Sequence, residues 1–573
     1  MAAGDWDGSV RSGVATAFIP GGLSVWELSV RKDVGIKADE DHEKRTTTPD
    51  GTPTTETTYV AAILRPWTKR EEWAREKSED SRWAEVRGYG IDDIATWLEG
   101  APVTSAWFAD LLGLGPFGMR SAETWWRRWA GSTSPPMPHY LLLAGRDSLV
   151  GSLRETLSGP ASVTTIMAPS VEEVEAFLAA FAIGLPEDAG GLLARMAFVD
   201  QATTWRALEG FDRALILVPT TEEVRREISS QSHHHILVPV PTGGSADYDL
   251  SPIDPQAARD ALMETGAVGD ERAEALGYLA RGSLLALRRS LAVNPALHTP
   301  HWAKPPAGRT SRGALLAGRW NDAVPGDQAV IEKLTALGGE DLREALDALA
   351  VNDDPLVGMV DRSWALTSPF DAWLQLRAQL RDEDLKRLEQ AVRTVLLEVD
   401  PALSMEPEDR WKANLEGKTS AYSPALRLGL AESILLLAIN GQEVAGGRGA
   451  DCASYLVHVL GEEANKDISG ALWASFGPLL PRLAEAAPHT FLESLREAMA
   501  GDSPVIAALF SDPEGESALF TASSPHPHLL WALETLAWSD EHFGATADAL
   551  ARLAEIDPGG SLRNRPAESL ARI

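Results

Sequence analysis

The sequence predicts a multidomain α/β-plus-α chain. It has an N-terminal α/β domain over 1–130, an α/β middle over 139–325, a helix–helix–hairpin unit over 326–378 and an irregular α-helical array over 379–573. Three observations carry this expectation. At 573 residues, a size of ~150 residues per domain gives roughly three or four domains. Up to about residue 250, short apolar runs alternate with helical stretches, the rhythm of sheets with helices packed on them. From about residue 380, Ala/Leu-rich amphipathic helices repeat without a strict period.

In the first 130 residues, Ser24-Val25-Trp26-Glu27-Leu28-Ser29-Val30 alternates and is rich in β-formers, so it predicts a strand. Asp33 is placed to cap a polar helix through about Arg45. Residues 46–57, TTTPDGTPTTET, predict a loop. Tyr59 to Leu64 has the length of a buried strand, Arg65-Pro66 ends it, and a charged helix follows from about Lys69 to Lys77. Ala84 to Tyr89 predicts a third strand, Asp92-Asp93 open the next helix, and further helices fall at about 104–112 and 121–130. Gly131 to Pro138 is a Ser/Pro linker.

The middle offers four short apolar runs, Val163 to Met167, Met196 to Val199, Ala214 to Val218 and Ile236 to Val240, spaced as in a parallel sheet. Helices are expected at Ala329–Leu337 and Asp341–Leu349. A hairpin then follows, from Leu356-Val357-Gly358-Met359-Val360 through Asp361-Arg362-Ser363 to Trp364-Ala365-Leu366. Arg565 to Ile573 begin another amphipathic turn, so the array is expected to lack its polar cap.

Composition narrows the function classes. The apolar share of 44% with 24% charged residues is that of a globular chain. One cysteine, Cys452, excludes a disulfide framework and a thiolate metal cluster and fits a reducing cytosol. MAAGDWDGSV has neither a basic nor an apolar region of a signal peptide. Apolar stretches are expected to fall short of the ~20 residues that span a bilayer, so the chain is expected to be cytoplasmic. The net charge of −31 argues against a protein coated in nucleic acid. The charge is uneven, however. Residues 1–130 carry 21 acidic and 16 basic side chains, a net of −5. Ten of the 19 tryptophans also lie there, mostly at helix or strand periods that predict core packing.

Chemistry concentrates in the first 45 residues. Asp7 lies beside Gly8, and Glu27 follows twenty residues later on a strand, with Ser29 on the same face because side chains alternate. Lys32 stands at the entrance of the next helix and Lys37 and Lys44 lie on it. Two carboxylates can hold Mg²⁺, which takes oxygen ligands, and a lysine can orient water or stabilise phosphorane charge. The run WDG … PGGLSVWELSV … KADEDHEKR … TYVAAILRPW … WAEVRGYGIDDIATWLE resembles a family of bacterial restriction-endonuclease-like defence proteins of the PD-(D/E)XK type, over about 130 residues. The resemblance implies a restriction-endonuclease-like fold with Asp7 and Glu27 as ligands of Mg²⁺ (or Mn²⁺). Ser29 stands where the pattern normally has lysine, so Lys37, and after it Lys32, is the candidate for that role. Lys44, Arg45, Lys69 and Arg70 are candidates for phosphate contacts.

In the middle, Ala144-Gly145-Arg146-Asp147 resembles the Gly-Arg box that opens signalling ATPases of the STAND/AAA+ kind. A phosphate loop would need G-x-x-x-x-G-K-[ST] after the following strand. Ala168-Pro169-Ser170-Val171-Glu172 stands there instead, so a degenerate ATPase-like domain without ATP is expected, followed by a winged-helix-like unit. That unit holds Lys333 and Arg343 against Glu332, Glu340, Asp341, Glu344 and Asp347, a poor phosphate surface. His233-His234-His235 precede a strand and alternate in direction, which predicts a structural role. Taken with the resemblance, the sequence predicts a metal-dependent nuclease effector of anti-phage defence, cleaving DNA, with RNA left open as the alternative, under control of the middle and C-terminal regions. The implied partners are nucleic acid, a phage or host protein trigger and other copies of the chain, with no membrane. The alternative is a non-catalytic interaction scaffold with inactive nuclease and ATPase folds.

Overall fold

A computed structural model describes residues 6–114, 118–185, 191–241, 246–351, 354–360, 362–413, 415–510, 525–559 and 564–573. The chain is mixed α/β with several sheets and a helical C-terminal half. It divides into two compact units, Met1–Trp125 with Leu185–Ile236 and Trp126–Gly184 with Leu237–Ile573.

The first unit is built on a four-stranded sheet in the order β1-β2-β3-β4. The strands are β1 (Gly8–Ser12), β2 (Gly22–Ser29), β3 (Thr57–Ile63) and β4 (Glu85–Tyr89). β1 runs antiparallel to β2, whereas β2, β3 and β4 are mutually parallel. Parallel neighbours need crossover connections. Helices α1 (Val34–Thr47) and α2 (Arg70–Glu79) supply them, and α3 (Ile91–Glu99) follows β4. Alternation along the strands gives the sheet two apolar faces. Val25, Tyr59, Ala61, Ile63 and Val86 pack with Ala38 of α1, Trp73 of α2 and Trp6, Trp67 and Trp83. Trp26, Val60, Ala62 and Tyr89 pack on the other side with Phe18, Ile94 and Trp97. The tryptophans of this sheet therefore fill its core, as their spacing predicts.

The three expected strands are present within two residues of their predicted bounds, and β1 is an additional edge strand. Asp33 stands at the N-cap of α1, but its side chain makes no cap hydrogen bond. Arg31 holds that carboxylate instead, at 2.9 Å from Nε. The same unit contains the strands Met196–Val199 and Ile216–Pro219, parallel to each other, and Met119–Ser121 antiparallel to the first. The strand His235–Pro241 continues the parallel set beside Ile216–Pro219. His233 and His234 are tied to backbone: His233 Nε2 lies 2.6 Å from the Phe211 carbonyl, and His234 Nδ1 accepts the Leu215 amide at 3.1 Å.

In the second unit the Gly-Arg segment precedes the helix Asp147–Ser158. Gly145 has a positive φ of 74° and lies against Asp254, whose Cβ would sit 2.9 Å from any Cβ at this position. Only glycine fits both conditions. The expected hairpin forms from Val357–Val360 and Ser363–Leu366, with Arg319–Asn321 as a third strand on Ser363–Leu366. Asp361, predicted in its turn, lies outside the described residues. A continuous core then runs through the helical half, from Trp302 to Leu553.

One expectation needs correction. The segment Pro424–Glu443 is long and apolar enough to cross a membrane by length and composition. Its residues Leu426, Leu430, Ile434 and Leu437 are instead buried in the helical core, which is why it is apolar on more than one face.

The start of that helix is fixed by Asp327, which is wholly buried and accepts from the Ser423 amide at 2.9 Å, the Ser423 hydroxyl at 2.5 Å and the Asn321 amide at 2.8 Å. Asp327→Ala strands these three donors, so the second unit is expected to lose about 3 kcal/mol. Urea unfolding followed by circular dichroism checks this through a lowered midpoint.

Candidate functional site

The predicted site residues fall around β2 and α1. Asp7 lies just before β1, is exposed, and its Oδ2 accepts the Leu28 amide of β2 at 2.8 Å. This bond ties Asp7 to the strand that carries Glu27. Glu27 is 8% exposed and lies beside Ala61 of β3 in the register. Its Oε1 accepts from Arg45 Nε in a buried ion pair. Arg45, 4% exposed, is held further by Asp50 at 3.1 Å and lies with its guanidinium 4.6 Å from the Trp6 ring centre.

Helical spacing explains this meeting. Lys37, Asp41 and Arg45 recur every four residues, so they share one stripe of α1, and that stripe adjoins the buried Ala38 and His42. Lys37 Nζ pairs with Asp41 Oδ1 at 2.5 Å, both partly buried. The electrostatic neighbours of Glu27 are Arg45, Asp7 and Asp41. Burial raises the Glu27 carboxyl above its ordinary value; Arg45 opposes that rise, and Asp7 and Asp41 add to it. Tyr59 of β3 lies in the same field, wholly buried, with a hydroxyl that has no hydrogen-bond partner among the described residues.

The structure thus brings together Asp7, Glu27, Lys37 and Arg45, and adds Asp41 and Tyr59. The four-residue spacing from Lys37 was the signal for Asp41; nothing local marked Tyr59. Ser29 shares the strand with Glu27, and its hydroxyl accepts the Arg31 amide at 3.2 Å. Lys32 is exposed between β2 and α1. Of the proposed phosphate contacts, Lys44 and Lys69 are exposed. Arg45 serves Glu27, and Arg70 is bound to Asp93, with Nη2 at 2.8 Å from Oδ1.

Among the described residues, no group of three or more His, Cys, Asp or Glu is placed to hold a metal ion. Asp7 and Glu27 are hard oxygen donors, and each already has one oxygen in a hydrogen bond. That donor set fits Mg²⁺, which is commonly held by one or two carboxylates with water and substrate phosphate completing the shell. A divalent cation at this site would be held by Asp7 and by Glu27, which is already paired with Arg45.

In the Gly-Arg segment of the second unit, Arg146 is 1% exposed and donates to the carbonyls of Ser251 and Leu142 and to Glu173 at 2.6 Å. Ser170 caps the helix Val171–Ile183 by accepting the Glu173 amide at 3.1 Å. Glu172 is bound by Trp129 and Arg288. The first turn of this helix is therefore closed by the fold's own groups. No protein-family model and no curated protein matches this chain.

Two outcomes follow from this geometry. Arg45→Met leaves Glu27 buried without its cation, so the first unit is expected to lose about 3 kcal/mol. Adding Glu27→Gln should restore part of that loss in a double-mutant cycle read by chemical unfolding. Burial also holds His42 down to about 4, from an ordinary 6.5. A base depressed in the fold gives stability that is complete above 6.5 and is lost as pH falls towards 4. Differential scanning fluorimetry from pH 7 to 4 is expected to show a falling transition, by the equivalent of about 3 kcal/mol, with a shallower slope for His42→Phe.

Proposed function

We propose that the first unit is a divalent-metal-dependent endonuclease domain of restriction-endonuclease-like type, in a cytoplasmic effector of anti-phage defence that cleaves DNA. The observation that carries this reading is the grouping of Asp7, Glu27 and the Lys37–Asp41–Arg45 stripe of α1 on one side of the sheet. Mg²⁺ or Mn²⁺ supplies Lewis acidity at a phosphate when bound, and Asp7 and Glu27 are the residues that would hold it. The Leu28 amide fixes Asp7 against β2, and Arg45 orients Glu27. Lys37, partly buried beside Asp41, supplies a cation for phosphorane charge or for the attacking water; Lys32 is next in reach along the chain. Lys44 and Lys69 are the exposed cations available to a phosphate backbone.

The regions beyond the first unit fit control rather than chemistry. The ATPase-like segment has a capped helix start and no phosphate-loop lysine, so it is read as a shell that works without ATP. Helix Arg309–Ala317, strand Arg319–Asn321, helices Pro325–Thr335 and Gly339–Ala350 and the hairpin follow a winged-helix order, with an acidic helix pair unsuited to DNA. The helical half is read as the surface that meets a protein trigger or further copies of the chain.

A second reading, a non-catalytic interaction scaffold, is favoured by Arg45 already neutralising Glu27 and by Ser29 in place of lysine. One experiment separates the two. Plasmid and phage DNA are incubated with the full chain and Mg²⁺ or Mn²⁺. Wild type is expected to nick or linearise the DNA, and Asp7→Ala and Glu27→Ala to lower the rate about 100-fold or more. Equal rates in all three proteins would sink the assignment of Asp7 and Glu27, and no cleavage with either metal, with no Mn²⁺-dependent thermal shift that Asp7→Ala abolishes, would favour the scaffold.

A further inference from the structure

Within the second unit, the start of the helix Pro424–Asn440 borders a cavity of about 740 Å³. Small-molecule sites run from roughly 300 to 1,000 Å³. Arg410, Lys418 and Arg427 all line it. In a chain of net charge −31 this is a local reversal of sign.

These cations are not used up by carboxylates. Arg410 forms no ion pair among the described residues; its Nε makes a long contact, 3.4 Å, to the Met405 carbonyl. Burial lowers its pKa from the ordinary guanidinium value, while Asp400 and Glu406 act on it only at longer range. Arg427 donates to the carbonyls of Val395, Glu398 and Ser475 at 2.8, 3.3 and 3.1 Å, which position it without neutralising it. Its nearest carboxylate oxygen, on Glu398, lies 3.9 Å away. The acids are committed to the fold. Asp400 Oδ1 accepts the Ala402 amide at 2.9 Å, and Glu398 accepts the Ala421 amide at 2.8 Å together with the Ser420 hydroxyl.

The remaining wall is mixed: an apolar part with Val324, Leu428 and Leu479 carries the half-buried ring of Tyr422, and hydroxyls such as Ser420 and one carboxylate, Asp400, complete it, so the lining charge stays positive by three cations to one anion. Two adaptable cations, a guanidinium fork and an ammonium, match a dianion better than a single carboxylate. The volume far exceeds a bare phosphate, and the apolar wall suits a flat organic body. We propose that this cavity binds a phosphorylated small molecule of nucleotide size. Its phosphate is held by Arg410 and Lys418, and its body lies against Tyr422 and Leu479. Arg427 is a positioning residue that fixes the cavity wall. The proposal stands apart from the nuclease reading, because none of these residues belongs to the first unit.

The test is isothermal titration of the full chain with adenosine and guanosine 5′-monophosphates, their 3′,5′-cyclic forms and pyrophosphate, with adenosine and guanosine as uncharged controls. At least one phosphorylated nucleoside is expected to bind, and the uncharged nucleosides not to bind. Arg410→Ala and Lys418→Ala are each expected to weaken that binding about tenfold or more, as for a lost charge-assisted contact. Lys418 lies outside the regular helices, so Lys418→Ala is expected to keep the wild-type unfolding temperature and decides the matter if Arg410→Ala unfolds. Absence of binding by every phosphorylated probe overturns the proposal. So does binding that neither substitution changes, or binding of pyrophosphate alone with no gain from a nucleoside.

Discussion

The buried pair between Glu27 and Arg45 is the constraint on which the first unit depends. A carboxylate on the inner face of a sheet carries a large desolvation cost, and a helix packed over it must deliver a cation at the right height. Arg45 does so from the last turn of α1, where a basic side chain is also favoured by the helix dipole. The pair therefore fixes both the rotation of α1 about its axis and its register along β2. Once α1 is set, Ala38 and His42 meet Tyr59 and Trp73, and the aromatic layer of Trp6, Trp67 and Trp83 closes around them. The same pair sets the chemistry. It orients the carboxylate on which metal binding is proposed, and it is also the strongest competitor for that metal. In the proposed nuclease this carboxylate would already be neutralised at rest.

The legible part of the fold followed side-chain periods. β2, β3 and β4 were readable because alternate residues serve two apolar faces, so their strands hold long apolar or aromatic runs. β1 was not, because GSVRS contributes only Val10 to packing and forms its ladder as an edge. Asp33 marked the start of α1, but Arg31 two residues earlier captured its carboxylate, and that competition is not visible in helix-start rules. In the site, residue type singles out Asp7 and Glu27 as candidates, whereas Arg45, expected at a phosphate, is buried in an ion pair with Glu27. Its number places it one turn beyond Asp41 on the Lys37 stripe, and its neighbour Lys44 points elsewhere on the helix. Only knowledge of which stripe faces the sheet separates a phosphate-binding arginine from an internal one. Tyr59 needed the tertiary register, because its unpartnered hydroxyl is a property of the packed core.

The use of arginine unites the two units and changes the meaning of the net charge. Arg45 with Glu27, Arg146 with Glu173, Arg289 with Asp371 and Arg312 with Asp384 are all buried pairs. A guanidinium suits this work because its planar fork satisfies several acceptors at once and it stays charged on burial. Each such pair removes one cation and one anion from the surface together, so these pairs leave the excess of acid unchanged. The exposed field of the chain stays close to the −31 of the whole sequence. In the proposed nuclease, approach of a polyanion would depend on a few exposed lysines around the first unit, Lys32, Lys44 and Lys69, and on a metal ion screening Asp7 and Glu27. On that proposal the acidic surface would resist incidental contact with nucleic acid and confine productive contact to one place. The acidity that excludes a general DNA-coating role is thus compatible with, and sharpens, a role in which a single module meets the phosphate backbone.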